Sequence, residues 1–418
     1  MDLSHTPIVS SDFLTYQLKQ ETATISQFGL LAGSGADSQK PDQTACHRVK
    51  SDPRLYFNVS HPSSTFICGS QGPGKSHTLS SGRLPSPLTG LVFHYDTFVG
   101  DTVENPCEAA FLSSHPDVQV RVLCSPTNLN VIQDCYSKFN ILVDVLQLDQ
   151  THLNTKRMMD LMAMRIAQQD TKGSFNYQTF KRNVIYGNLT RAQQGPLKQR
   201  LATLESFTAL ERMSPGRRKS QDEAQPGNQC FQAGHLTIID LSCPCISPET
   251  ACSKRSIGRV IALDEAHKYM NMSPEARAFA ETLRAVARFQ RHLATRVVIS
   301  TQEPIVATDL LNICSVTIVH RFASPEWFQA LQKHLAAAAA PSLHTKVDDN
   351  RDQSASSLLD SIVQLGVGEA FIFAPSAIVK VSAGPEGRVE LSPLGSAALP
   401  IKVRVRITSD GGRSALLL

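Results

Sequence analysis

Thr65-Phe66-Ile67-Cys68 runs directly into Gly69-Ser70-Gln71-Gly72-Pro73-Gly74-Lys75-Ser76, and the architecture follows from this junction. A short apolar run bounded by Pro62 and Gly69 predicts a strand buried on both faces. The loop fits G-x-x-x-x-G-K-[ST], and a helical pattern follows it. Glycines let backbone N–H groups turn inward around a polyphosphate, and the helix N-terminus adds its positive dipole end. Lys75 is placed to reach the β- and γ-phosphates and Ser76 to ligate Mg²⁺, so Gly69 to His77 form the expected nucleotide-binding stretch.

Such a site needs an acidic group at the end of another buried strand. Arg259-Val260-Ile261-Ala262-Leu263 delivers Asp264 to the carboxyl edge of the sheet, where it can hold Mg²⁺ through water. Glu265 follows directly and is placed to polarise an attacking water. A third run, Arg296-Val297-Val298-Ile299-Ser300, ends in Thr301-Gln302-Glu303-Pro304, and Gln302 is the candidate to bridge the γ-phosphate and that water.

Further strand patterns read at Leu55–Val59, Leu91–Tyr95, Val118–Cys124, Ile141–Leu146, Leu236–Leu241, Ser315–His320, Ala370–Phe373, Ala377–Val381 and Ile401–Ile407, with helix patterns between many of them. Met158, Met159, Leu161, Met162 and Ile166 form one apolar helical stripe, and Leu197, Leu201 and Leu204 another. Both read as core, within a helical insertion at about 150–230. Alternating strands and helices predict an α/β fold, a mostly parallel sheet flanked by helices. Residues 1–54, rich in Ser, Thr, Gln and Asp, read as a disordered, flexible N-terminal tail. Residues 55–382 form the expected nucleotide-binding domain, and 383–418 a C-terminal strand and tail.

Composition bounds the rest. The 418 residues carry a formal charge of +4, which excludes a uniformly basic nucleic-acid coat and leaves only local patches. The longest apolar run, Ala370–Val379, is interrupted by Pro375 and Ser376, so no membrane span is expected. The N-terminus lacks the basic start and apolar core of a signal peptide, and ten cysteines are too sparse and irregular for a disulfide framework. The expectation is an intracellular protein, cytoplasmic or nuclear. Cys243, Cys245 and Cys252 contain no CxxC, and they read as core or loop residues rather than metal ligands.

Taken together, the phosphate loop, the long insertion, Asp264-Glu265-Ala266-His267, Ile299–Pro304, Thr317–Arg321 and Leu365–Ala370 resemble the HerA–FtsK-type P-loop ATPases over about 55–382. Leu241–Pro244, Asp264–Met270, Ser300–Pro304, His320–Trp327 and Arg406–Ser414 are similar to a fungal branch of P-loop NTPases. The resemblance implies a RecA-like core, ATP and Mg²⁺ as cofactors, a homo-oligomeric ring and, often, translocation of DNA. It assigns phosphate and metal binding to Lys75 and Ser76, metal and water to Asp264 and Glu265, γ-phosphate sensing to Gln302, and a position near the nucleotide to Arg321. One departure stands out. Residues 242–258, with Pro244 and Pro248, leave little room for the full helix that the family places before the acidic strand, which predicts reduced stability or activity.

Arg277, Arg284, Arg288 and Arg291 flank the apolar face of the helix opening at Ser273-Pro274-Glu275, and Lys402, Arg404 and Arg406 alternate along the last strand pattern. Either stripe offers a local contact for DNA; the first reads equally as a solvated helix face, and the second as protection of an edge strand. Two other functions compete with an ATP-driven motor. One is a nucleotide-dependent switch or scaffold with little hydrolysis. The other is a helicase resembling the DEAH class, against which stand the long separation of Lys75 from Asp264 and the missing Ser-Ala-Thr motif.

Overall fold

The structure is a computed structural model that describes residues 3–19, 25–34, 52–70, 88–95, 106–146, 234–240, 259–268, 270, 274–303, 308–335, 358–383 and 389–405, with a few positions between 181 and 205. In chain order the strands are β1 (Ile8–Ser10), β2 (Phe28–Ser34), β3 (Arg54–Asn58), β4 (Ser64–Cys68), β5 (Thr89–His94), β6 (Gln119–Cys124), β7 (Leu142–Val145) and β8 (His235–Asp240). They continue with β9 (Arg259–Leu263), β10 (Thr295–Thr301), β11 (Val316–Val319), β12 (Glu369–Phe373), β13 (Ile378–Ala383), β14 (Val389–Pro393) and β15 (Leu399–Val403). The helices are α1 (Ser11–Lys19), α2 (Leu129–Cys135), α3 (Pro274–Arg288), α4 (Thr308–Leu311) and α5 (Pro325–His334), and 358–363 is also helical.

All these strands belong to a 15-stranded sheet ordered β14-β13-β1-β3-β2-β15-β12-β11-β4-β10-β9-β5-β8-β6-β7. From β11 to β7 every pairing is parallel. The other half is antiparallel except for β1 on β13. Strand β4 is buried at every position because both faces are covered. Phe66 and Cys68 enter the core that also takes Phe279, Leu283 and Ala287 of α3, while Ile67 packs on the other face with Ile318 and Ile372. Likewise Phe93 and Leu263 face α3, and Val92 and Ala262 face Ile132 and Tyr136. The alternation follows from the period of two along a strand. It turns each of these segments into the continuous apolar run visible in the sequence.

The N-terminal segment corrects the expected flexible tail. Ile8, Val9 and Phe13 are fully buried, β1 lies between β3 and β13, and the Asn58 side-chain amide donates to the carbonyls of Ser4 and Thr6, each at 2.9 Å. Each such apolar side chain gains about 1.5–3 kcal/mol on burial, which offsets the order imposed on a short segment. The C-terminal strand is corrected too. β15 sits inside the sheet between β2 and β12 rather than at an edge, with Ile401 and Val403 buried and Lys402 exposed. Its side charges therefore do not guard an edge, and Arg406 lies outside the described residues.

The strands flanking residues 242–258 are not neighbours: β5 stands between β8 and β9. The connection itself lies outside the described residues, as do Met158–Ile166 and the Cys243–Cys252 group. Of the expected insertion, 181–182, 194–195, 198–199, 201–202 and 205 are helical, and Leu201 enters the main core.

Candidate functional site at the carboxyl edge of the sheet

Parallel register aligns the strand ends. Cys68 pairs with Thr301 and Val319, Ile299 with Leu263, Leu263 with Phe93, and His94 with Asp240. The residues at or just after these ends therefore form one row along the edge: His320 and Arg321, Gly69 and Ser70, Gln302, Asp264 and Glu265, His94, Asp240. The strand that leads to Gln302 stands between the strand that ends before Gly69 and the strand that ends before Asp264, so Gln302 and Asp264 occupy adjacent places along the edge.

The loop entrance is tightly held. Ser70 donates both its backbone N–H and its hydroxyl to the Arg321 carbonyl, each at 2.9 Å. The His320 N–H donates to the Cys68 carbonyl at 2.8 Å, and the fully buried His320 ring places Nδ1 3.0 Å from the Glu369 carbonyl. Gly69 has φ 154°, and a Cβ there would stand 2.7 Å from the Cβ of His320. Only glycine fits a backbone that turns this close to its neighbour. Gln71, Gly72, Pro73, Gly74, Lys75, Ser76 and His77 lie outside the described residues.

Asp264 is buried, and its N–H donates to the Phe93 carbonyl at 3.2 Å. Glu265 adopts φ 51°, a left-handed conformation that costs a non-glycine residue about 1–3 kcal/mol and is concentrated at functional sites. It turns the chain from β9 into a short 3-10 turn, Ala266–Lys268, closed by the Lys268 N–H on the Glu265 carbonyl at 2.9 Å. The Glu265 carboxylate lies 3.4 Å from His267 Nδ1, and the same nitrogen accepts the Gln302 backbone N–H at 3.4 Å. The tautomer with its proton on Nε2 accepts from Gln302 at Nδ1, whereas a proton on Nδ1 faces the Glu265 carboxylate instead. His267 thus joins the two residues the sequence singled out for water and γ-phosphate. Arg321 is exposed, and its carbonyl is what Ser70 engages at the loop entrance.

Three residues at this edge carried no signal in the sequence: His94, Cys107 and Asp240. Tyr136 donates its hydroxyl to Asp240 Oδ2 at 2.8 Å and accepts the Cys107 N–H at 3.0 Å, tying α2 and the loop at Cys107 to the end of β8. Burial first, and then the Asp264 and Asp240 carboxylates, push the Cys107 thiol well above its usual range; burial and Asp240 do the same to the Tyr136 phenol. Tyr136→Phe leaves a buried carboxylate oxygen and a buried N–H without this partner. It is expected to lower stability by about 1–3 kcal/mol in urea unfolding; an unchanged midpoint would show that the chain of bonds contributes nothing.

The arginines of α3 divide. Arg277 and Arg288 are exposed, as is Arg291 just past the helix end, and Arg284 is half-buried. Among the described residues no helix is long and apolar enough to cross a membrane.

No family model matches the chain, and no curated protein matches it. Solved structures similar to it include the DNA-packaging ATPase B204 from Sulfolobus Turreted Icosahedral Virus, at 11% identity and TM-score 0.27, covering 80% of this chain and 98% of that one. VirB4 of Thermoanaerobacter pseudethanolicus aligns at 10% identity and TM-score 0.43, covering 91% and 97%. The cytoplasmic domain of the Thermomonospora curvata type VII secretion ATPase EccC aligns at 14% identity and TM-score 0.29, covering 90% of this chain and 28% of that one. By its own strand order and pairing the chain has an α/β fold, a largely parallel sheet flanked by helices.

Proposed function

We propose that the chain is an Mg²⁺-dependent ATPase that works as a homo-oligomeric ring, an ATP-driven motor of the HerA–FtsK type acting on DNA. What supports this most is the single row at the carboxyl edge, where a glycine-only loop entrance, a polar strand end and a buried acidic strand end stand in adjacent places. The residues fit a nucleotide with its metal: Gly69 leaves the space that a Cβ would fill, and Asp264 offers a buried oxygen donor to a hard cation.

In this reading Lys75 and Ser76 would hold the phosphates and the ion, and Asp264 would help to hold the ion. Bound Mg²⁺ would neutralise charge on the phosphate oxygens. Glu265 takes a proton from the attacking water, and Gln302 orients that water against the γ-phosphate. His267, between their chains, sets the position of both. The Arg321 carbonyl anchors the loop at Ser70, leaving its exposed guanidinium for charge on the nucleotide. Exposed Arg277, Arg288 and Arg291 supply the local cationic surface for a phosphate backbone.

Native mass measurement of the full chain, with and without ATP, Mg²⁺ and a duplex oligonucleotide, tests the assembly. Nucleotide-bound oligomers are expected, joined by DNA in low salt. A monomer under every condition would exclude the ring.

A further inference from the structure

Nucleotide chemistry accounts for Asp264 but not for the two side chains beside it. His94 ends β5, Cys107 precedes a 3-10 turn at Glu108–Ser114, and their ligand atoms and one from Asp264 all lie within 4.8 Å of one another. All three residues are buried, at 7%, 1% and 4% exposure. They come from separate segments, each fixed independently. His94 is set by β5 between β8 and β9. Cys107 is pinned through its N–H to Tyr136 and its carbonyl to the Ala110 N–H at 2.9 Å. Asp264 is held by its N–H on Phe93.

An imidazole, a thiol and a carboxylate converging in a buried space are a borderline-metal donor set. Mg²⁺ prefers oxygen ligands and keeps its waters, whereas Zn²⁺ and Co²⁺ take nitrogen, thiolate and carboxylate together in tetrahedral sites with a fourth position open. We propose that His94, Cys107 and Asp264 bind a divalent ion of the Zn²⁺ class, distinct from the Mg²⁺ of the nucleotide. Binding converts the Cys107 thiol to a thiolate, its proton passing to water as the S–metal bond forms. Because Asp264 serves both ions, occupancy draws its carboxylate away from the nucleotide and stops turnover. This consequence alone rests on the ATPase reading.

Cobalt titration of the metal-stripped full chain, without nucleotide, tests the site. One equivalent of Co²⁺ is expected to raise a near-ultraviolet thiolate-to-metal charge-transfer band together with visible bands of tetrahedral intensity. Cys107→Ser abolishes the first, and His94→Asn weakens binding by at least about tenfold. Absence of the band in the parent protein, or an identical titration in Cys107→Ser, overturns the site. X-ray absorption at the zinc edge of the parent protein serves even if a variant fails to fold: one sulfur with nitrogen and oxygen neighbours is expected, and no sulfur or more than one overturns the assignment. In steady-state turnover, one equivalent of Zn²⁺ silences the parent and spares Cys107→Ser; equal inhibition of both overturns the competition for Asp264. A cobalt site with the expected spectrum in a chain that never hydrolyses ATP would leave the metal site standing and remove the ATPase reading instead.

Discussion

Exchanging Glu265 for Gln is expected to lower steady-state ATP turnover by about 10²- to 10⁴-fold, the range a positioned general base supplies. The substitution keeps the shape of the side chain and removes its capacity to accept a proton. Glu265 also holds a left-handed backbone at φ 51° that closes the turn onto Lys268, and Gln preserves this as well. Nucleotide affinity should therefore stay within a few-fold of the parent, read by fluorescence titration with an ATP analogue, and the melting temperature should not move. Loss of turnover with retained binding separates catalysis from folding. Unchanged turnover would remove Glu265 from the mechanism. A parent protein that binds ATP without hydrolysing it would favour a nucleotide switch over a motor.

Gly69→Ala carries the second large effect, and it acts on both stability and binding. The new Cβ meets the Cβ of His320 at 2.7 Å and that residue's backbone at 3.2 and 3.3 Å. His320 has nowhere to go: its ring and its N–H are bonded to Glu369 and Cys68, and it is fully buried. Overpacking of this kind costs about 1–3 kcal/mol, and the φ of 154° adds a penalty of about 1–3 kcal/mol. The strain falls where β4 passes into the phosphate loop, so ATP affinity should drop by at least about tenfold along with the unfolding midpoint. A variant as stable and as tightly binding as the parent would show that the loop entrance does not depend on this contact.

The parallel half of the sheet was legible because β4, β5, β9, β10 and β11 are covered on both faces and leave uninterrupted apolar runs. Asp264, Glu265 and Gln302 stood out because each lies one or two residues past the end of such a run. The antiparallel half was less legible. β2 reads Phe-Gly-Leu-Leu-Ala-Gly-Ser, with two glycines, and β1 has three residues. Both are stabilised by partners far away in the chain, β15 for one and β13 for the other. No local period announces a strand whose neighbours arrive hundreds of residues later. The same reason hides His94 and Cys107. One follows Phe93 at a strand end and the other is a single cysteine after Pro106, and only the register of β5 with β9 and the bond to Tyr136 bring them to Asp264. Arg321 was expected through its guanidinium, and the structure adds its carbonyl, which clamps Ser70.

In the proposed mechanism the row from Arg321 to Asp264 hydrolyses ATP with Mg²⁺. Release of inorganic phosphate from ATP by the purified full chain, followed with Mg²⁺ and again with the ion removed by EDTA, tests it most directly. Steady release that requires Mg²⁺ is expected, falling to background in Lys75→Ala and Glu265→Gln. Release that continues without a divalent ion, or that is equal in parent and variants, would contradict it.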